Sequence, residues 1–252
     1  SDVYKRQQMA YANEEIFLLE VNPRASRTIP FVSKAIGLPL AKIASKTMIG
    51  KSLMQQKIKN PSNLNNFSVK EAVLPFDRFQ NVDPILGPEM KSTGEVMGIG
   101  TSFAEAYDKS QISAGTIIPD GGSVFLSVRE NDKPHLEELA TRLDQLNLSI
   151  VATKGTAREI QKMGIKARII NKVAEGRPHV VDLIKNNEIS LLINTTEGKE
   201  SIQDSSSIRR TALDNKIPCT TTLQGGLAIC EVLEKRLDWS VQNIQDIHKS
   251  IE

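Results

Sequence analysis

The chain has 252 residues, enough for one large domain or two ordinary ones. Hydrophobic residues make up 39% and charged residues 25%, which excludes a disordered or collagen-like chain. The 32 basic and 30 acidic side chains leave a net charge of +2, so no field of one sign favours nucleic acid or a membrane surface, and aromatics at 4% supply no stacking platform for single strands.

The first seven residues, Ser1 to Gln7, begin without methionine and run into what reads as a mid-domain strand. They are set aside as a non-native leader, and the remainder reads as the tail of a longer protein. Gln8–Ala12 and Ile16–Asn22 form a hairpin around a three-residue turn, Asn13 to Glu15. Pro30 opens an amphipathic helix that Gly37 stops, and a second helix fits Pro39–Met48, ended by Gly50. Residues 51–66 are polar and loop-like, Ser68–Phe79 alternates as a strand, and Pro84–Gly100 reads as irregular. Ser102-Phe-Ala-Glu105 is a capping box for a helix reaching about Ile112, with Gly115 beyond its end.

From about residue 119 strands and helices alternate. Apolar runs at 124–128, 148–152, 167–170, 189–193 and 218–223 are followed by helical patterns at 134–146, 157–163, 180–185, 207–215 and 227–235, with a last helix at 241–251. Five β–α units in order predict an α/β fold, a doubly wound parallel five-stranded sheet with its ligands at the carboxyl ends of the strands. An α+β segment precedes it.

Within the hairpin, Glu20 and Asn22 are two apart on one strand and share a face. A three-residue turn sets Gln8 opposite Glu20, making an all-oxygen set suited to Mg²⁺ or Mn²⁺ that also holds phosphate. Arg24 and Arg27 follow and could fork onto that phosphate. A polar strand face in solvent is the plainer reading of so short a spacing. In the second half, Lys133, Thr153-Lys-Gly-Thr156, Lys172 and Asn194-Thr-Thr196 follow four strands and belong to one sheet edge. A helix start with free N–H groups, two lysines and several hydroxyls suits a phosphate with its sugar or base attached. On spacing alone, capping threonines and solvated lysines explain these residues equally well.

The longer strings are more specific. The run from Glu20 to Lys34 (EVNPRASRTIPFVSK), Gly50 to Leu53, Ser68 to Phe76 (SVKEAVLPF) and Leu86 to Gly98 (LGPEMKSTGEVMG) resemble, in order, the second ATP-grasp half of the carbamoyl-phosphate synthetase large-subunit family. The resemblance runs from about Gln8 to the end. It implies residues 8–115 as the end of the carbamate-phosphorylating domain and 116–252 as an allosteric domain sharing its fold with methylglyoxal synthase. It further implies Gln8, Glu20 and Asn22 as metal ligands for Mg²⁺ or Mn²⁺, Arg27 as a catalytic contact to the transferred phosphoryl group, and ATP as substrate. It implies a parent enzyme that makes carbamoyl phosphate for arginine and pyrimidine synthesis and pairs with a glutamine amidotransferase small subunit. The lid and adenine slot that such a site requires are not among these residues, so this stretch alone is expected to be inactive.

For the allosteric domain the resemblance implies effectors of the UMP and IMP type, held by Ser127, Lys133, Thr153, Thr156, Lys172, Asn194, Thr196 and Lys199. Lys199 stands where the family has Arg and Ala174 where it has His. Glu71 and Thr221 match ornithine contacts, but Cys219 and Thr220 replace a Tyr and an Asp, and losing that carboxylate argues against ornithine here. A free-standing lyase of the methylglyoxal synthase type needs a histidine in the loop that here reads Glu197 to Asp204, which has none; a pure nucleotide-sensing module is the remaining alternative. Two cysteines, Cys219 and Cys230, build no disulfide scaffold and point to a reducing, cytoplasmic compartment. No uncharged run approaches the ~20 residues of a membrane span.

Overall fold

The computed structural model describes residues 6–22, 24, 26–59, 64–78, 83–86, 90–196, 205–236 and 239–249. By contact the chain divides into two compact units, residues 1–65 with 241–252, and residues 66–240. The boundary expected at 115/116 lies inside the second of these.

The first unit opens with a hairpin of β1 (Arg6–Ala12) and β2 (Glu15–Asn22). Its turn holds two residues, not the three expected from the sequence. Ala12 pairs with Glu15, and Asn13 and Glu14 take φ of 52° and 64°, the left-handed pair of a tight hairpin turn. Gln8 nevertheless faces Glu20, because the register shifts between Gln8 and Met9 and one residue of β2, Leu19, is bulged out. Helix α1 (Thr28–Ile36) ends at Gly37, whose φ of 68° is the left-handed cap a helix stop requires. Helix α2 (Leu40–Met48) follows. Helix α9 (Ile244–Lys249) belongs to the same unit, and its His248 Nε2 lies 2.7 Å from the Lys34 carbonyl.

The second unit begins with an antiparallel pair, β3 (Phe67–Val73) and β4 (Gly94–Gly100). Two expectations change here. The first strand ends at Val73, because Pro75 cannot continue a ladder and residues 76–78 turn as 3₁₀ helix. The stretch thought irregular ends in the strand β4. Helix α3 (Phe103–Ser113) lies across it so closely that a Cβ at Gly98 would overlap the Ala106 carbonyl oxygen. Ser102 caps α3 by accepting from the Glu105 N–H at 3.2 Å. The Glu105 carboxylate reaches back to the Thr101 N–H at 2.8 Å and holds Lys109 at 2.6 Å. Burial opposes its ionisation, but these donors outweigh burial and keep its pKa below the usual value.

The five-stranded sheet expected from the sequence follows: β5 (Ser123–Ser127), β6 (Ser149–Thr153), β7 (Arg168–Ile170), β8 (Leu191–Asn194) and β9 (Cys219–Thr220). All pair in parallel, in the order β7-β6-β5-β8-β9. The connecting helices are α4 (Leu136–Gln145), α5 (Lys154–Lys162), α6 (Val180–Lys185) and α7 (Ser206–Asp214), and α8 (Leu223–Lys235) follows β9. Alternate strand residues feed opposite faces. Val124, Leu126, Ile150, Leu191 and Ile193 pack with α4, α5 and α8. Phe125, Val151, Ile170 and Leu192 pack with α6 and α7. Helix α5 starts at Lys154, three residues earlier than the sequence pattern suggests, so Gly155 and Thr156 lie within its first turn. Among the described residues no helix is long and apolar enough to cross a membrane.

Candidate functional site

The order in which strands are added reverses at β5: β6 and β7 lie to one side of it, β8 and β9 to the other, all of them parallel. Such a switch point leaves a crevice at the carboxyl ends of the two strands that flank it. Ser127 and Asn194 end those strands and are cross-strand partners. Asn194 is fully buried, and neither its Oδ1 nor its Nδ2 has a hydrogen-bond partner among the described residues. A buried primary amide without partners is costly, by about 1–3 kcal/mol for each group.

Next to it lies the start of α5. Thr153 occupies the N-cap position and is buried, with no side-chain cap bond, so the first N–H groups of the helix are left for another acceptor. Its hydroxyl lies 3.3 Å from that of Thr156, which accepts the Val128 N–H at 3.0 Å. Thr156 therefore fastens the loop after β5 to α5. Lys133 reaches the same turn, since a Cβ added to Gly155 would lie 3.3 Å from its Nζ. The Lys133 side chain is 17% exposed and pairs with Glu130 at 2.5 Å. Across the crevice, buried Thr195 accepts the Arg129 N–H at 3.0 Å. Arg129 Nε holds Asp132 at 2.8 Å, and this bond, with help from the Thr195 hydroxyl, keeps the Asp132 carboxyl below the usual carboxylate range.

Of the residues expected at this edge, Ser127, Lys133, Thr153, Thr156 and Asn194 end or follow the three central strands. Thr196 is half-buried two residues past Asn194. Lys172 is exposed beyond the edge strand β7, and its backbone N–H donates to Glu175 at 2.9 Å. Lys199, and the whole loop from 197 to 204, lie outside the described residues. Glu130 and Asp132 are not singled out by the sequence, while Thr195 lies within the Asn194–Thr196 run expected at this edge. The acid three residues before Lys133 was the available sign of the first, since i,i+3 neighbours meet on one helical turn.

In the first unit, Gln8 and Glu20 are direct cross-strand partners. The Asn22 amide donates to Glu20, and Arg24 Nη2 donates to Asn22 Oδ1 at 3.1 Å. Arg27 immediately precedes α1 in helical conformation, φ −59° and ψ −17°. Among the described residues there is no cluster of three or more His, Cys, Asp or Glu side chains able to hold a metal. A metal here would rest on one carboxylate with amide oxygens. Glu71 is half-buried on β3 and accepts from Gln111 Nε2 of α3 at 3.0 Å, whereas Thr221 is exposed between β9 and α8. No hydrogen bond among the described residues joins Glu71 to Thr221.

Comparison with known proteins gives this geometry a context. Residues 6–56 match the family model described as carbamoyl-phosphate synthase L chain, ATP binding domain, and residues 135–221 match the MGS-like domain. The chain thus joins the end of an ATP-grasp domain to an MGS-like domain of parallel α/β architecture. Over 245 residues it is 57% identical to the carbamoyl phosphate synthase large chain of Pseudomonas aeruginosa, 51% identical to that of Buchnera aphidicola and 48% identical to that of Vibrio cholerae. Each of these matches covers 97% of this chain and 23% of the relative. The chain is a homologue of the carbamoyl phosphate synthase large chain and corresponds to its C-terminal part, as the motifs from Glu20 to Gly98 implied. Among solved structures, methylglyoxal synthase from Elizabethkingia anophelis NUHP1 aligns with a TM-score of 0.38 and 15% identity, over 47% of this chain and 81% of that one.

Proposed function

We propose that the chain serves a glutamine-hydrolysing carbamoyl-phosphate synthase in two ways. Residues 8–115 contribute part of a metal and ATP site for carbamate phosphorylation, and residues 116–252 sense a nucleoside monophosphate of the UMP or IMP type. A glutamine amidotransferase small subunit would be the partner of the whole enzyme. In the first site, Glu20 supplies a carboxylate and Gln8 and Asn22 amide oxygens, a set that fits Mg²⁺ or Mn²⁺; Asn22 now turns its N–H to Glu20 and its Oδ1 to Arg24, so its amide would have to turn to join such a set. Such an ion, when bound, neutralises the phosphate charge during phosphoryl transfer. The Asn22 amide orients the Glu20 carboxylate, and Arg24 orients Asn22. Arg27 would meet the transferred phosphoryl group.

The nucleotide reading rests above all on Asn194, a fully buried amide with both polar atoms unpartnered at the switch point. A ribose or base that both donates and accepts there would satisfy it. The attached phosphate would take the free N–H groups at the start of α5 and the Lys133 ammonium, where the helix dipole also favours an anion. Ser127, Thr153, Thr156 and Thr196 line the same edge, and Lys172 would close it from outside; Lys199, also expected to hold the ligand, lies outside the described residues.

Calorimetric titration of UMP and IMP into the chain tests this. A charge-assisted hydrogen bond contributes about 1.5–3 kcal/mol. Lys172 is exposed, so Lys172→Ala should lose about tenfold in affinity, the low end of that range. Asn194→Ala should lose more, since the ligand then leaves its own group unpaired. No binding to the folded chain, or equal affinities for all three proteins, would remove the site.

A further inference from the structure

Among the described residues Lys133 is the best-sheltered cation of this edge, and its counter-ion is unusual. Its side chain is 17% exposed and reaches the first turn of α5, where Gly155 leaves room for the ammonium. Three acids lie near it. Glu159 is taken by Lys162, at 2.9 and 3.0 Å, and Asp132 is taken by Arg129 at 2.8 Å. The third, Glu130, meets Lys133 at 2.5 Å while its own side chain is 84% exposed. So the cation is fixed and sheltered, whereas the anion sits on a side chain almost wholly in water, with Lys133 as its hydrogen-bond partner among the described residues. A carboxylate held in this way is easily displaced by a stronger anion.

We propose that Glu130 is a built-in stand-in for the ligand phosphate: it occupies Lys133 when the edge is empty and must swing out when a phosphate arrives. This rests on the nucleotide reading above and adds a residue that sets its affinity and its selectivity. With Glu130 in place, a ligand must displace one negative charge to reach Lys133. A phosphate dianion, with two charges and three acceptor oxygens, can do so. A ligand bearing a single carboxylate merely exchanges one carboxylate for another and gains little. Glu130 thereby weakens every anion and disfavours carboxylates most.

The test is a set of calorimetric titrations on the whole chain, with UMP and uridine as probes. The proteins are wild type, Glu130→Gln, Lys133→Ala and the double variant, each checked for the native circular dichroism spectrum. Glu130→Gln should bind UMP roughly threefold to tenfold more tightly than wild type, the range for releasing one partly sheltered ion pair. Its affinity for uridine should not change. Lys133→Ala should weaken UMP binding, and adding Glu130→Gln to it should recover nothing. The proposal falls if wild type binds UMP but Glu130→Gln binds it no more tightly, or if the gain persists without Lys133 or extends equally to uridine. In those cases the nucleotide site stands and Glu130 has another role. If neither wild type nor Glu130→Gln, both folded, binds UMP, the nucleotide reading falls and this proposal with it.

Discussion

The two compact units of this chain solve the problem of burying apolar surface to very different degrees. In residues 66–240 each face of a five-stranded sheet is covered, and Phe125, Leu126, Leu192 and Ile193 are wholly buried. In residues 1–65 with 241–252, Ile247 is the one buried residue among those described. There Met9, Tyr11, Ile16 and Leu18, cross-strand neighbours on one face of the hairpin, are 57%, 73%, 71% and 58% exposed. A two-stranded hairpin is marginal in water without cover, and a contiguous apolar face of this kind is one that other protein surface normally meets. The chain spans 23% of the length of its relatives. The contrast teaches that the second unit encloses a core of its own, while the hairpin, the proposed metal site, buries little of its apolar surface.

Four measurements can break or sharpen that contrast. Trp239, the single tryptophan, donates to buried Asp108 at 2.7 Å within the second unit, so its fluorescence reports that unit. Phe125→Ala should have the largest effect, lowering urea stability by about 3–5 kcal/mol, because a wholly buried ring leaves a cavity between two layers. Gly98→Val should cost about 1–3 kcal/mol or more in the same assay, since β4 must move off α3 to admit the side chain. Acid should act more gently. Glu105 has its pKa lowered in the folded state, so its contribution is complete above the usual value of 4.5 and is lost as pH falls through the lower folded value. Glu105→Gln should flatten the acid limb of a stability-against-pH curve, and an unchanged limb would show that other carboxylates set it. Smallest of all, Leu18→Ser should shift the Trp239 transition by less than about 0.5 kcal/mol, while reducing binding of a hydrophobic dye. A loss of 2 kcal/mol there would mean that the hairpin supports the second unit after all.

Much of the second unit was legible because strand and helix periods alternate plainly from Val124 onward. What escaped did so for identifiable reasons. Strand β4 reads as loop because Gly94, Gly98 and Gly100 break its alternation, yet Gly98 and Gly100 are glycine because α3 leaves no room for a side chain there. Strand β3 read too long because Leu74 and Phe76 continue the apolar pattern past Pro75. The sequence pattern places the start of α5 late because Lys154, Gly155 and Thr156 look like a loop, whereas in the fold Thr156 lies in the helix and accepts the Val128 N–H. At the site, spacing brought Lys133, Thr153 and Asn194 to one edge. The unpartnered burial of Asn194 depends on packing that no spacing encodes, whereas the pairing of Lys133 with Glu130 was open to an i,i+3 reading.

The bulge at Leu19 carries a consequence for chain length. Counted by twos, Ile16, Leu18, Glu20 and Asn22 would share one face, and the acid would sit among greasy neighbours. The extra residue turns the phase of the strand, so that Glu20 faces Gln8 while Leu18 faces Met9. A chain lacking Leu19 would keep every one of these pairs, simply as a regular ladder. A chain lacking Val21 would instead send Asn22 to the side away from Glu20. The hairpin thus has slack at one position and none two residues on, so single-residue deletions there should differ sharply in whether Asn22 still reaches Glu20.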